Sequence, residues 1–131
     1  MELIHKDLTD KILKAYYTVY NELGYGFLEN VYEKAMLYEL QILGLKVERQ
    51  KAVNVYYKGM VMGHYITDLI VEDKVILELK SQPEITEAHE AQLLHYLRGT
   101  TIEVGLLLNF GQKPAFRRKV FTNERKKFST Q

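Results

Sequence analysis

The chain has 131 residues, 47% of them hydrophobic and 27% charged, with a net charge of +1. This length predicts a single domain over residues 1–131, and the balanced charge excludes an overall field that would draw in a polyanion. The lack of cysteine excludes disulfides, thiol nucleophiles and cysteine-based zinc sites, and no segment approaches the roughly 20 apolar residues of a membrane span, so we expect a cytoplasmic protein with no membrane partner.

Two helices are predicted at the start of the chain. Apolar residues recur at helical spacing over residues 4–22 and again over residues 28–43. Gly24 and Gly26 separate these segments and Gly44 ends the second, because glycine is favoured where a helix ends and the chain turns.

The middle of the chain changes to a composition typical of strands. Lys58-Gly59 and Glu72-Asp73 supply turn residues between runs of β-branched and aromatic side chains. The pattern predicts a meander of three strands, over residues 47–57, 60–71 and 75–79.

The remainder predicts a helix and two strands. The helix covers residues 85–98 and ends at Gly99, and the apolar run 104–110 is typical of a strand buried on both faces. A short strand follows over residues 116–121, and the polar tail 122–131 is predicted to be frayed. This order predicts a mixed α/β sheet with helices packed on its faces.

Basic residues concentrate near the C-terminus, where one acid, Glu124, lies among seven cations. Clustered charge of this kind attracts phosphate, although a surface charge run is commonly only solvated. Both interpretations stay open for this set, which comprises Lys113, Arg117, Arg118, Lys119, Arg125, Lys126 and Lys127.

A pair of carboxylates and a lysine are the main candidates for chemistry. Glu78 and Lys80 lie two apart on a predicted strand and therefore share a face. Pairing across the Glu72-Asp73 turn places Asp68 close to Glu78. Two carboxylates in a partly buried place share a proton or hold a cation, and oxygen ligands of this kind suit Mg²⁺. Lys80 beside them can orient a water or stabilise a phosphoryl oxygen, but the Glu78-x-Lys80 triplet alone also fits an exposed strand end with a weak ion pair.

Two helices carry polar side chains at related spacings. Gln92 and Tyr96 are four apart on one helical face, and Glu29 begins the second helix with Tyr32 three residues later. Each pattern also has a structural explanation. The first fits a polar helix edge, and the second an acid favoured by the helix dipole.

Residues 26–32 read Gly-Phe-Leu-Glu-Asn-Val-Tyr, or G-x-x-E-x-x-Y. With Asp68, Glu78-Leu79-Lys80 and Gln92-x-x-x-Tyr96 in the same order, the chain up to about residue 122 resembles the GxxExxY protein family of the PD-(D/E)xK nuclease superfamily, in its RecB-like branch. Thr67 stands where the superfamily name has a proline, a position that takes no part in the chemistry.

The resemblance implies a restriction-endonuclease-like fold, a central mixed β-sheet flanked by α-helices. It also implies a nuclease dependent on Mg²⁺ or Mn²⁺ that acts on nucleic acid, in the first place DNA. Asp68, Glu78 and the Leu79 carbonyl would bind the metal. Glu29 would complete or tune that site.

The resemblance also implies catalytic roles. Lys80 would position or activate the attacking water, together with the metal-binding Asp68 and Glu78. Gln92 and Tyr96 would support the site and contact phosphate.

Two other functions stay open. A non-catalytic module could bind nucleic acid or a partner protein through the basic residues, beside a vestigial acidic pocket. A small α/β scaffold could instead act as a homodimer, with some of its ten tyrosines at the interface. A metal titration separates them from the nuclease, because an ion bound between carboxylates stabilises the native state by mass action.

Overall fold

The computed structural model describes residues 3–126. None of the helices in this part of the chain is long and apolar enough to cross a membrane. The elements are α1 (Lys6–Leu23), α2 (Glu29–Ile42), β1 (Val47–Arg49), β2 (Ala52–Tyr57), β3 (Met60–Ile66), β4 (Leu69–Val71), β5 (Val75–Lys80), α3 (Glu87–Gly99), β6 (Val104–Phe110), β7 (Pro114–Val120) and a 3₁₀ helix (Asn123–Arg125).

Five strands form a central mixed sheet in the order β1-β4-β5-β6-β7. β5 and β6 are parallel and are joined through α3, whereas the other neighbours are antiparallel. All seven residues of β6 are buried, as predicted for a strand covered on both faces. The predicted fold class, a mixed sheet flanked by helices, is confirmed.

The two faces of the sheet are covered by different elements. Leu77 and Leu79 of β5 pack in a core with α1 and α2, whereas Ile76 packs with α3 and the β2–β3 hairpin. Because successive side chains of a strand point to opposite faces, Glu78 and Lys80 lie on the α3 face. The apolar alternation of β5 therefore fixes the side of the sheet on which its polar residues project.

The predicted meander of three strands is wrong in one respect, because its first two strands each break in two. They form one long hairpin whose outer half, β2–β3, is a separate two-stranded sheet, while β1 and β4 pair within the main sheet. Gln50 interrupts the first arm in a left-handed conformation (φ 55°), which is uncommon for a residue other than glycine. Asp68 lies at the matching break in the second arm.

The register across the Glu72-Asp73 turn is the predicted one. β4 and β5 pair so that Leu69 lies opposite Leu77. Asp68 directly precedes β4, and the same register extended to it places Asp68 opposite Glu78. The turn therefore brings the two carboxylates together, as expected from the sequence.

Residues 122–126, which the sequence predicts to be part of a frayed tail, pack against the domain instead. Lys126 is buried, and its Nζ donates to the carbonyl oxygens of Thr100 and Ile102, both at 2.8 Å. Burial lowers the pKa of Lys126 to about 8. The sequence shows only a polar segment here, whereas the fold supplies two carbonyl acceptors. Residues 127–131 lie outside the described part of the chain.

The basic residues of the C-terminal region are distributed over different surfaces. Arg117 and Lys119 lie 3.6 Å and 2.7 Å from the carboxylate of Glu90 on α3. Arg118, between them on β7, donates to the carbonyl oxygen of Ile4 near α1. Alternation along β7 therefore separates these cations, and Lys127 lies outside the described residues.

Candidate functional site

The carboxyl groups of Asp68 and Glu78 meet beside the end of β5. The Asp68 N–H donates to Glu78 Oε2 at 3.4 Å, and the Leu79 N–H donates to Asp68 Oδ2 at 2.8 Å. β4 begins only at Leu69. At Asp68, these two hydrogen bonds to side chains therefore take the place of the main-chain hydrogen bonds that a longer β4 would form with β5. The break in the hairpin thus leaves room beside β5 for the two carboxyl groups in place of main-chain pairing.

The environment of the pair resists ionisation. Burial and, next in size, the charge of Asp68 together raise the pKa of Glu78 to about 7. Burial also raises the pKa of Asp68, against the opposing effect of the hydrogen bond from Leu79. A cation placed between such groups favours their charged forms, because opposite charge offsets the cost of desolvation.

The donor set fits a hard divalent cation. The hydrogen bonds to the pair use Oδ2 of Asp68 and Oε2 of Glu78, so neither Oδ1 nor Oε1 takes part in them. Within residues 3–126, no three His, Asp or Glu side chains are grouped so that they could hold a metal ion. Mg²⁺ tolerates this arrangement, since it commonly takes one or two carboxylates and keeps several waters.

Lys80 brings a positive charge to the pair. It is the half-buried last residue of β5, and its ammonium acts to lower the pKa of both Asp68 and Glu78. Asn109, its neighbour on β6, fixes the chain that follows, because its side chain binds the N–H and the carbonyl of Gln82 at 3.0 Å and 2.9 Å. The position of Lys80 is therefore set by the parallel pair of strands.

Tyr65 belongs to the site although the sequence does not predict it. Its hydroxyl donates to Glu78 Oε2, and its ring stacks on Tyr96 with centroids 3.5 Å apart and planes at 15°. Burial, followed by the charge of Glu78, raises the pKa of Tyr65, so the phenol stays protonated and donates. In an unbroken strand, His64 would share the face of Asp68, because the two residues are an even number of positions apart. The break in the hairpin between β3 and β4 interrupts this alternation, and Tyr65 reaches Glu78 instead.

α3 carries both Tyr96 and Gln92. Burial raises the pKa of Tyr96, and the charges of Glu78 and then Asp68 contribute to the rise. Gln92 is exposed one turn earlier, and within the described residues no hydrogen bond joins it to either carboxylate. Tyr96 is in contact with the site through the ring of Tyr65.

α2 carries two glutamates whose negative charges act on the carboxyl group of Asp68. Besides burial, the charge of Glu33 and then that of Glu29 raise the pKa of Asp68. Glu29 is exposed at the first turn of α2, whereas Glu33 is buried and accepts hydrogen bonds from Arg49 Nε at 2.6 Å and Gln50 Nε2 at 2.9 Å. The four-residue spacing from Glu29 could have identified Glu33, but its partners come together only in the folded chain.

Tyr32 organises the loop that leads to Glu29. Its buried ring stacks on Phe110 with centroids 4.0 Å apart. Its hydroxyl donates to the carbonyl oxygen of Gly24 at 2.6 Å and accepts from the N–H of Phe27 at 3.2 Å. In the heptad G-x-x-E-x-x-Y, the tyrosine thus fixes the start of the helix that carries the glutamate.

We expect Tyr32→Phe to lower the free energy of unfolding by about 1–3 kcal/mol, because it leaves two main-chain groups of a part-buried loop without their partner. Tyr38→Phe is the matched control, since Tyr38 lies on the same helix with 66% of its surface exposed. Denaturant unfolding of both variants measures the difference. Equal stabilities would contradict a clamping role for the Tyr32 hydroxyl.

The comparisons with known proteins give one match. The model of the PD-(D/E)XK nuclease superfamily matches residues 6–120. That span runs from the start of α1 to the end of β7 and includes every candidate residue of the site. No curated protein and no solved structure matches the chain.

Proposed function

The chain belongs to the PD-(D/E)XK nuclease superfamily, and we propose that it is a metal-dependent nuclease that hydrolyses phosphodiester bonds of nucleic acid, in the first place DNA. Nucleases of this superfamily generally use divalent metals. The observation that carries the proposal is the pairing of Asp68 with Glu78, in a place that raises both pKa values, beside the ammonium of Lys80. We further place the chain in the GxxExxY family and the RecB-like branch, on the heptad 26–32 and Gln92-x-x-x-Tyr96.

We assign Mg²⁺ or Mn²⁺ to the carboxylates of Asp68 and Glu78 and the carbonyl oxygen of Leu79. The N–H and the carbonyl of a strand residue point to the same side, which supports the Leu79 carbonyl, since its N–H already binds Asp68. Glu29 would complete the site or tune its charge from the first turn of α2. When bound, a divalent ion would neutralise phosphate charge and lower the pKa of a water.

The side chains around the metal ligands have separate tasks. Lys80 would donate to the attacking water or to a phosphate oxygen, holding the two in line. Tyr65, stacked on Tyr96, would hold Glu78 in one orientation by donating to one of its oxygens. Gln92 is exposed one turn from Tyr96 and would contact substrate phosphate. The expected products carry a 5′-phosphate and a 3′-hydroxyl.

We expect Asp68→Asn to lower metal-dependent cleavage by about 10²–10³-fold, the cost of removing one group that stabilises developing charge. The assay uses single- and double-stranded DNA and RNA with Mg²⁺ and with Mn²⁺, followed by analysis of the product ends. Asp10→Asn is the control, because Asp10 is an exposed residue of α1 paired with Lys6. Asp68→Asn cleaving as fast as the parent would contradict the assignment.

Other outcomes of the same assay identify the alternatives. Tight binding of nucleic acid with neither cleavage nor a response to metal would indicate a non-catalytic binding module. A melting temperature that depends on protein concentration, with no binding of nucleic acid, would indicate a homodimeric scaffold.

A further inference from the structure

A cavity of about 350 Å³ opens beside the candidate site. Its volume lies within the roughly 300–1,000 Å³ of ligand pockets. Three segments form its walls: the loop before α2, the chain after β5 and the turn after β6. The side chains that matter for binding are Tyr25, Ser81, Gln82, Phe110 and Gln112.

The cavity adjoins the position where substrate phosphate would lie. Ser81 directly follows Lys80, and its hydroxyl donates to the carbonyl oxygen of Phe27 at 3.1 Å, which ties the chain after β5 to the loop before Glu29. β5 and β6 are parallel, and the cavity lies at their carboxyl ends, where ligands bind in open α/β sheets. A group in the cavity would therefore neighbour a phosphate at Lys80.

The walls of the cavity are held rigidly. Phe110, one of the lining residues, stacks on Tyr32 and meets the Tyr16 ring edge-on with centroids 5.0 Å apart. A Cβ added at Gly111 would lie 2.5 Å from the carbonyl oxygen of Gln82, so the main chains of two walls are in close contact. Binding in a preformed cavity costs less conformational entropy than binding in one whose walls must first become ordered.

The chemistry of the lining matches a nucleobase better than a phosphate. None of the eight lining residues is charged, whereas phosphate recognition relies on basic side chains. Gln82 and Gln112 offer amide donors and acceptors, and Tyr25, with 56% of its surface exposed, offers an aromatic face. Unpaired bases are recognised in this way, by stacking on aromatic rings and by hydrogen bonds to their edges.

We propose that this cavity binds one unpaired nucleobase next to the scissile phosphate, with Tyr25 stacked on the base. The substrate is then single-stranded, or unpaired at that nucleotide, because a base within a duplex is stacked on its neighbours and cannot enter. This inference rests on the proposed nuclease function for the position of the phosphate. The base site itself can be tested by binding alone.

The test uses hexanucleotides in which 2-aminopurine, a base whose fluorescence falls on stacking, moves one position at a time. DNA and RNA versions are titrated with the full chain in EDTA, which prevents turnover. We expect the fluorescence to fall at one position and Tyr25→Ala to weaken binding about 5- to 150-fold, the range for loss of one aromatic stack. Tyr38→Ala is the control, because Tyr38 is also largely exposed (66%) but lines a separate groove between α1 and α2. Gln112→Ala is expected to weaken binding as well.

An abasic nucleotide at the quenched position makes the test specific, because Tyr25→Ala should then have no further effect. Equal affinity of Tyr25→Ala and the parent, or failure of the parent to bind single strands, would overturn the base site. Quenching that depends on Tyr25 in a chain that cleaves nothing would support the base site and refute the nuclease. Cleavage without such quenching would do the reverse.

Discussion

Lys80→Ala is expected to lower metal-dependent cleavage by about 10³-fold while the domain stays folded and still binds metal. The ammonium acts on both carboxyl groups, and removing a donor placed where charge develops costs about 10²–10³-fold in rate. Metal binding should persist, since the loss of a nearby positive charge makes the pair more attractive to a cation. A half-buried strand end also contributes little to stability.

Lys74→Ala is the matched control for this variant. Lys74 is exposed and directly precedes the opposite end of β5, so the substitution repeats the change of charge away from the carboxylates. Cleavage rates and the thermal shift with Mg²⁺ should be measured for both variants. If Lys80→Ala retained the parent's rate, the nuclease mechanism would be wrong, and a non-catalytic module would be the better description.

Glu78→Gln is expected to stabilise the metal-free protein at pH 8 by about 3 kcal/mol while abolishing cleavage. The Glu78 carboxyl titrates near its ordinary value of 4.5 in the unfolded chain and near 7 in the folded protein. The folded state therefore holds the proton more tightly, and its stability falls as pH rises from about 4.5 to about 7. Each unit between the two pKa values corresponds to about 1.4 kcal/mol. Glutamine has no proton to lose and can still accept from Tyr65.

Unfolding curves at pH 4 and pH 8, with and without Mg²⁺, measure this effect. The two proteins should be equally stable at pH 4, where the carboxyl is protonated in both states. Added Mg²⁺ should stabilise the parent and leave Glu78→Gln unchanged, since only the parent keeps both carboxylates. A variant no more stable than the parent at pH 8 would mean that ionising Glu78 costs the fold nothing.

The two variants together separate metal binding from catalysis. Lys80→Ala should keep the Mg²⁺-dependent thermal shift and lose cleavage, whereas Glu78→Gln should lose both. The opposite effects of Glu78→Gln on stability and activity would show that the site holds a destabilised carboxylate for its function, as active sites commonly do.

The sequence by itself determined the mixed sheet with its flanking helices and the meeting of Asp68 with Glu78. Both follow from short-range patterns. Helical spacing and the apolar run of β6 mark the elements, and a turn of known position fixes the register of the strands on either side of it. The register of Asp68 survives the break in the hairpin because β4 still pairs with β5 directly after it.

The tertiary structure alone decided that Tyr65 and Glu33 join that pair. The left-handed Gln50 breaks the hairpin without a glycine to mark it, and this break brings Tyr65, rather than His64, to Glu78. The partners of the buried Glu33 and the carbonyl oxygens that anchor Lys126 lie far from them along the chain. These cases have one physical reason in common. Residue spacing predicts which side chains share a face only within one regular helix or strand, whereas contacts between elements depend on where the chain bends.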